Sequence, residues 1–362
     1  MPLTTLTPTE LLTAKAIDYL ANSFLVEAPM LGLLANRVVN QKQKAIEWGA
    51  KVAQGVVGGR TRQGALAQDT QGTIKGASLS VPDYYIKHQF QVGKDEIVNS
   101  NTIGRISAVR DPVGTAISDA FDVLARKVNQ VLYTANGTAD TTNFGVFGLN
   151  SVAVQTGSYA GLSRVTFPRW KSTLVQGAVP GTPEALATSK LTSVLRTRRT
   201  NGVTYKGNQN SRLVMVTTDI IETDVLRTLY GSVVDNQNVD FTRLDKDLLP
   251  YVNYMVKGIP VISDIDCPPN TAYLLNLDKI AIYSFDQSDA DLSDGKISYI
   301  PLRYTSETGD TPSESTLWVR LADVSDEHPD LLSFELSVAL QLVAFDPIDS
   351  VTKIEDIKNT IP

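Results

Sequence analysis

Only one cysteine, Cys267, and two histidines, His88 and His328, occur in 362 residues. A lone thiol excludes an internal disulfide, and with two imidazoles it leaves too few soft ligands for a structural zinc site. No uninterrupted apolar run reaches the about 18 residues that a membrane helix needs, so neither a helical span nor a membrane partner is expected. Met1 to Glu10 is polar and threonine-rich and lacks the basic start, apolar stretch and cleavage site of a signal peptide, so export by that route is not expected. Phosphate loops are missing too: Gly55-Val56-Val57-Gly58-Gly59-Arg60-Thr61 has neither the spacing nor the lysine, and no cofactor is implied. Gly161-Leu162-Ser163-Arg164-Val165 ends in valine and is not a nucleophile elbow.

What is present is an ordinary globular composition, 42% hydrophobic and 20% charged, long enough for about two domains. Charge is unevenly placed. Residues 1 to 200 carry 21 Lys+Arg against 13 Asp+Glu, whereas residues 201 to 362 carry 12 against 26. The net charge is -6 and the pI near 5.1, which argues against tight DNA binding. Basic and acidic parts of different copies meeting is the better use of that asymmetry.

The first helix is signalled by Thr7-Pro8-Thr9-Glu10 and carries Leu11, Ala14, Ile17, Leu20 and Phe24; an irregular arm follows over residues 30 to 43. Lys44 to Val57 and Ala77 to Val98 read as two β arms, the second alternating Tyr84, Ile86, His88, Phe90, Val92 with Tyr85, Lys87, Gln89, Gln91. Between them, Gly58 to Gly76 holds five glycines with Arg60, Arg62 and Lys75 and little that could form a core; such a loop is expected to project outward. Asp111-Pro112 opens a helix striped with Val113, Ile117, Phe121, Leu124, Val128 and Val131, ended by Asn136-Gly137 and roughly 35 Å long at about 1.5 Å per residue. Thr182-Pro183 opens another, with Arg196, Arg198 and Arg199 complementing its C-terminal dipole. Leu213 to Val216 reads as a buried strand, followed by a short helix with Ile221, Val225 and Leu229, and Val256 to Ser263 as a strand. Leu332 to Leu342 alternates without a miss and predicts one eleven-residue strand laid along the long helix.

The remaining candidates for chemistry have plain readings. His88 lies on a strand face, and His328 in an acidic turn, neither with a recognisable partner. Asp286, Asp289, Asp291 and Asp294 fail as a calcium loop, because counting back from Gly295 puts Ala290 at the first ligand position. Cys267, before two prolines and with no basic neighbour in sequence, reads as structural.

Tyr159-Ala160-Gly161-Leu162-Ser163-Arg164, running on to Trp170, resembles the Tyr-Gly-Gly-Ile-x-Arg stretch of tailed-phage major capsid proteins. Val256-Lys257-Gly258-Ile259-Pro260-Val261-Ile262-Ser263-Asp264, Cys267-Pro268 and Tyr273 to Leu277 are similar to a second stretch of that family. The resemblance implies an α+β fold of Hong Kong 97 type: an N-terminal arm (1–43), an extended loop (44–100, tip 58–76), a peripheral domain (101–200 and 315–362, with its spine helix at 111–134) and an axial domain (201–314). Tyr159, Arg164 and Trp170 would be peripheral; Gly258 and Pro260 would be axial.

The implied function is structural, not enzymatic: pentamers and hexamers forming the icosahedral shell around double-stranded DNA, assembled in the host cytoplasm and residing in the virion. Gly58, Gly59, Arg60, Arg62 and Lys75 are the expected assembly contacts. Portal and cement proteins are further implied partners, DNA contact should be weak, and a separate scaffolding protein is expected because no charged helical region precedes the arm. No motif places a Lys–Asn crosslink, so non-covalent joining is expected. The alternatives are an encapsulin-like shell enclosing enzymes and, more remotely, a soluble enzyme.

Overall fold

The computed structural model describes residues 28–34, 37–53, 72–94, 112–200, 213–226, 254–256, 259–285, 297–303, 316–324 and 330–358. The helix expected at Thr7, Gly58 to Arg62, Asp111, Gly258, the 286–294 aspartates and His328 fall outside them. The chain divides into two compact units, one of residues 1–44, 81–148 and 282–342, the other of 45–80, 149–281 and 343–362.

In the first unit the long helix runs Pro112–Thr134. Ile117, Phe121, Leu124, Val128 and Val131 are buried as their spacing predicts, while Asp119, Val123 and Arg126 face solvent. It packs on an antiparallel sheet ordered Ile297–Arg303, Thr316–Asp323, Leu331–Val338, Ile86–Gly93. Phe90 and Phe334, opposite each other in the register, stack at 5.5 Å. Beyond the helix the chain returns so closely that a Cβ on Gly148 would lie 2.7 Å from the Val131 carbonyl oxygen, which only glycine permits.

Four expectations for these segments are corrected. Residues 30 to 43 are not irregular: Pro29–Leu34 is a buried helical turn, its Leu31 amide donating to Asn129 Oδ1, and Val38–Gln41 pairs in parallel with Ile282–Phe285. The supposed second β arm is two strands, Ile74–Ser80 and Ile86–Gly93, which join different sheets. Ile74, Lys75 and Gly76, expected in the loop tip, lie in the ladder opposite Lys51, Ala50 and Gly49. The eleven-residue strand breaks at Ala339 into Leu331–Val338 and Leu340–Ala344, and from Leu336 on both faces are buried, Ser337 and Gln341 included.

The second unit is built on a six-stranded mixed sheet ordered Thr173–Val175, Val351–Ile354, Ala272–Asn276, Leu213–Thr217, Ile259–Ser263, Tyr254–Val256. Every residue of Leu213–Thr217 is buried, the mark of a strand covered on both faces. Leu191 and Val194 of the helix Thr188–Thr200 close one core with Met215, Val261 and Leu274. Sequence placed that helix's start at Thr182-Pro183; instead Glu184 bridges to Ile357 and the helix begins at Thr188. Val256 to Ser263 is likewise two strands, Tyr254–Val256 folding antiparallel onto Ile259–Ser263. The helix after Leu213–Thr217 includes a π-helical turn, Ile221–Leu226.

Arg198 corrects the dipole reading. Only 2% of its side chain is exposed, and it donates to Thr352 Oγ1 at 2.8 Å, to the Asp349 carbonyl at 2.6 Å and to Asp349 Oδ1 at 3.4 Å. Burial brings its pKa down to about 10, opposed by the charge and hydrogen bond of Asp349.

Candidate assembly surface

Ala45–Lys51 and Ile74–Ser80 form a two-stranded antiparallel hairpin, Ala45 opposite Ser80 and Lys51 opposite Ile74. Seven residues at about 3.3 Å each give it a length of about 23 Å. Ile46, Ala50 and Ala77 are buried on one face, and Glu47, Gly49, Lys51, Ile74, Gly76 and Ser78 are exposed on the other. Lys75 is exposed as well, near the end where the ladder gives way to the Ala53–Thr73 hydrogen bonds.

The buried face is fastened at two points. Trp48 Nε1 donates to the Phe345 carbonyl at 3.0 Å, with the two rings edge to face at 5.7 Å. The Ser78 amide donates to the Ala160 carbonyl at 3.1 Å. Ala160 belongs to the motif singled out in the sequence, and the structure brings its three marked side chains together. Tyr159 and Leu162 pair across a two-residue turn, Ala160 at φ 50° and Gly161 at φ 76°. Both angles are left-handed, as a type I′ turn requires. Trp170, fully buried, donates from Nε1 to the Tyr159 carbonyl at 3.0 Å. The Tyr159 hydroxyl accepts from the Ala344 amide at 2.9 Å, and its burial pushes its pKa well above the usual phenol range.

Arg164 donates to the carbonyls of Ser151 (2.7 Å), Thr156 (3.1 Å) and Val152 (3.2 Å), satisfying orphan acceptors of the short helix Leu149–Val152. Burial lowers its pKa. These three residues brace the turn to which the Ser78 amide of the hairpin is bonded. No sequence signal marks Phe345 or Asp346. Pro347 opens the helical turn Pro347–Ser350 after Asp346, whose Oδ2 lies 3.8 Å from Arg169.

Cys267 is buried, and the loss of hydration followed by the nearby Asp264 charge drives its thiol pKa up, the reverse of an activated nucleophile. His88 is half-buried opposite Leu336. Among the described residues no group of three or more His, Cys, Asp or Glu could hold a metal ion, and no helix is long and apolar enough to cross a membrane.

The chain is similar over 98% of its length, and 99% of the other's, to a protein in the capsid asymmetric unit of cyanophage A-1(L), at 79% identity and a TM-score of 0.77. It belongs to the tailed-phage major capsid proteins. This capsid protein has the α+β fold of Hong Kong 97 type, its role is structural, its copies form a shell, and its place is the virion capsid. An encapsulin complex from Synechococcus elongatus PCC 7942 (TM-score 0.49, 10% identity, 100% and 91% coverage) is far less similar. So is the capsid of a native GTA particle (0.47, 11%, 98% and 93%). The encapsulin alternative has less behind it than the phage capsid. No protein-family model matches the capsid protein, and no curated protein does.

Proposed function

We propose that copies of this capsid protein are joined by the hairpin and the segment it carries, with Gly58, Gly59, Arg60, Arg62 and Lys75 contacting acidic surface on the next copy. The observation that carries the reading is the hairpin itself. It is rooted by Trp48 and Ser78, and at its far end it carries Lys51 and Ile74 on the outer face, with Lys75 exposed on the opposite face across from Ala50. The acidic surplus of residues 201 to 362 supplies the complementary charge. Each contact is weak alone, and repetition around a closed shell makes the sum strong.

On this reading residues 1–43 are the arm, 44–100 the loop, 101–200 with 315–362 the peripheral domain and 201–314 the axial domain. The shell consists of pentamers and hexamers and is built in the host cytoplasm around a separate scaffolding protein, with a portal and cement proteins as further partners. The protein catalyses nothing, uses no cofactor and joins its neighbours without covalent crosslinks. Its acidic net charge keeps the wall from gripping the double-stranded DNA inside.

The test is charge reversal, Arg60→Glu with Arg62→Glu and Lys75→Glu, scored as particle yield by sedimentation. The expected defect is greatest at low ionic strength, where screening is least. Wild-type yield at every salt concentration contradicts the reading.

A further inference from the structure

We infer that the loop after the long helix is a chemical lock: by holding the Gly137 amide it keeps Asn136, a latent modification site, from deamidating. Deamidation of an Asn-Gly pair begins when the glycine nitrogen gives up its proton and attacks the asparagine Cγ. The N–Cγ bond forms, the Cγ–Nδ2 bond breaks and Nδ2 leaves as ammonia; water then opens the ring to aspartate or isoaspartate. Glycine favours the attack because no Cβ shields its nitrogen or restricts its backbone. Asn136 is exposed, so exclusion of water does not protect it.

The fold itself demands the vulnerable pair. Gly137 sits at φ 83°, and a Cβ there would lie 2.5 Å from the Phe147 ring, which leaves room for glycine alone. Asn136 Oδ1 accepts from the Thr138 amide at 2.9 Å and so ties the turn that follows the helix Pro112–Thr134.

The loop then withholds the nucleophile. The Gly137 amide donates to the Val146 carbonyl at 2.7 Å, within a bridge that pairs Asn136 with Phe147. Its proton is engaged and cannot leave until the bridge opens. The Gly145 amide donates to the Thr138 carbonyl at 2.8 Å, and the Asn136 amide to Asn143 Oδ1 at 3.2 Å. Asp140 sets Asn143 in place, its Oδ1 accepting from the Asn143 main-chain amide at 2.6 Å and from Nδ2 at 3.0 Å. Those bonds hold the Asp140 carboxyl below its ordinary pKa. Phe144 is kept at φ 53°, a strained angle that only a firmly bonded loop maintains for a large side chain. If the lock failed, aspartate at 136 would place a negative charge beside the negative end of the long helix, and isoaspartate would add a main-chain methylene inside the bridge.

The test incubates the natural full chain at neutral pH, folded and unfolded in guanidinium, and follows Asn136 by peptide mass, which separates it from Asn201 of the other Asn-Gly pair. Asn136 is expected to deamidate about tenfold more slowly, or slower still, in the folded chain, with the Gly137 amide protected in hydrogen exchange. Equal rates in the two states overturn the lock, and so does a freely exchanging Gly137 amide. Asp140→Ala, shown to be folded by circular dichroism, is expected to deamidate at Asn136 about fivefold faster than the natural chain, and Asp140→Asn, which keeps an acceptor, to fall between. A folded Asp140→Ala chain with the natural rate overturns the loop's part in it. Should Asp140→Ala not fold, the two rates of the natural chain still decide.

Discussion

The indole nitrogen of Trp48 reaches the carbonyl oxygen of Phe345, 297 residues along the chain, at 3.0 Å. That bond roots the hairpin on a turn from the far end of the sequence. Replacing Trp48 with phenylalanine keeps a ring against Phe345 and removes the donor. The expected cost is about 1 kcal/mol of stability, read as a lowered midpoint in urea. An unchanged midpoint would mean the bond contributes nothing in water.

Ala160 holds φ 50°, a conformation that costs a side-chain-bearing residue roughly 1 kcal/mol or more, where the family's stretch has glycine. Ala160→Gly is therefore expected to raise stability by about 0.5–1 kcal/mol after glycine's own entropy is subtracted. Thermal unfolding of the variant measures it, and a fall in Tm would show that the methyl group packs better than the turn is strained.

How much of this was legible in the sequence differs from element to element. The long helix announced itself because its buried stripe repeats at helical spacing, and Leu213–Thr217 because an unbroken apolar run suits a strand covered on both faces. Tyr159, Arg164 and Trp170 were found as a motif, but not what they do, since Arg164 finds its carbonyls only once the chain has turned back on itself. Residues 77 to 98 read as one arm because alternation continues on both sides of Val81–Tyr85, and alternation carries no record of which partner a strand chooses. Trp48 sat in a plainly alternating stretch, yet Phe345 gave no local signal at all.

The sequence places Arg198 as a complement to the helix's C-terminal dipole, and its burial makes a further forecast. Methionine there fits the apolar stem but takes the guanidinium donors from the Thr352 hydroxyl and from the Asp349 and Leu274 carbonyls, and leaves the Asp349 carboxylate with the Asn276 amide and no buried cation. The expected loss is about 3 kcal/mol, measured by denaturant unfolding. Arg198→Lys should recover little, since one ammonium cannot reach the positions that the guanidinium spans. Wild-type stability in the methionine variant would contradict this account.

Asp346 has its pKa raised, chiefly by burial, with Arg169 pulling it back down and Asp349 pushing it further up. A carboxyl whose folded pKa exceeds its unfolded value contributes stability below the ordinary carboxylate range and loses it as pH rises through the folded pKa. Asp346→Asn removes the cost of ionising in place. Its Tm relative to wild type is expected to improve from acid pH towards neutrality, and a relative decline over that range would show that the Arg169 attraction outweighs burial.

The most direct test of the central claim replaces residues 54–71 by Asn-Gly, closing the ladder with a tight turn while leaving Ile74–Ser80 in register. Electron microscopy of the purified variant beside the natural chain is the measurement. The expected result is a folded subunit, with unchanged circular dichroism, that forms no closed shells. Closed shells at the natural yield would contradict the account.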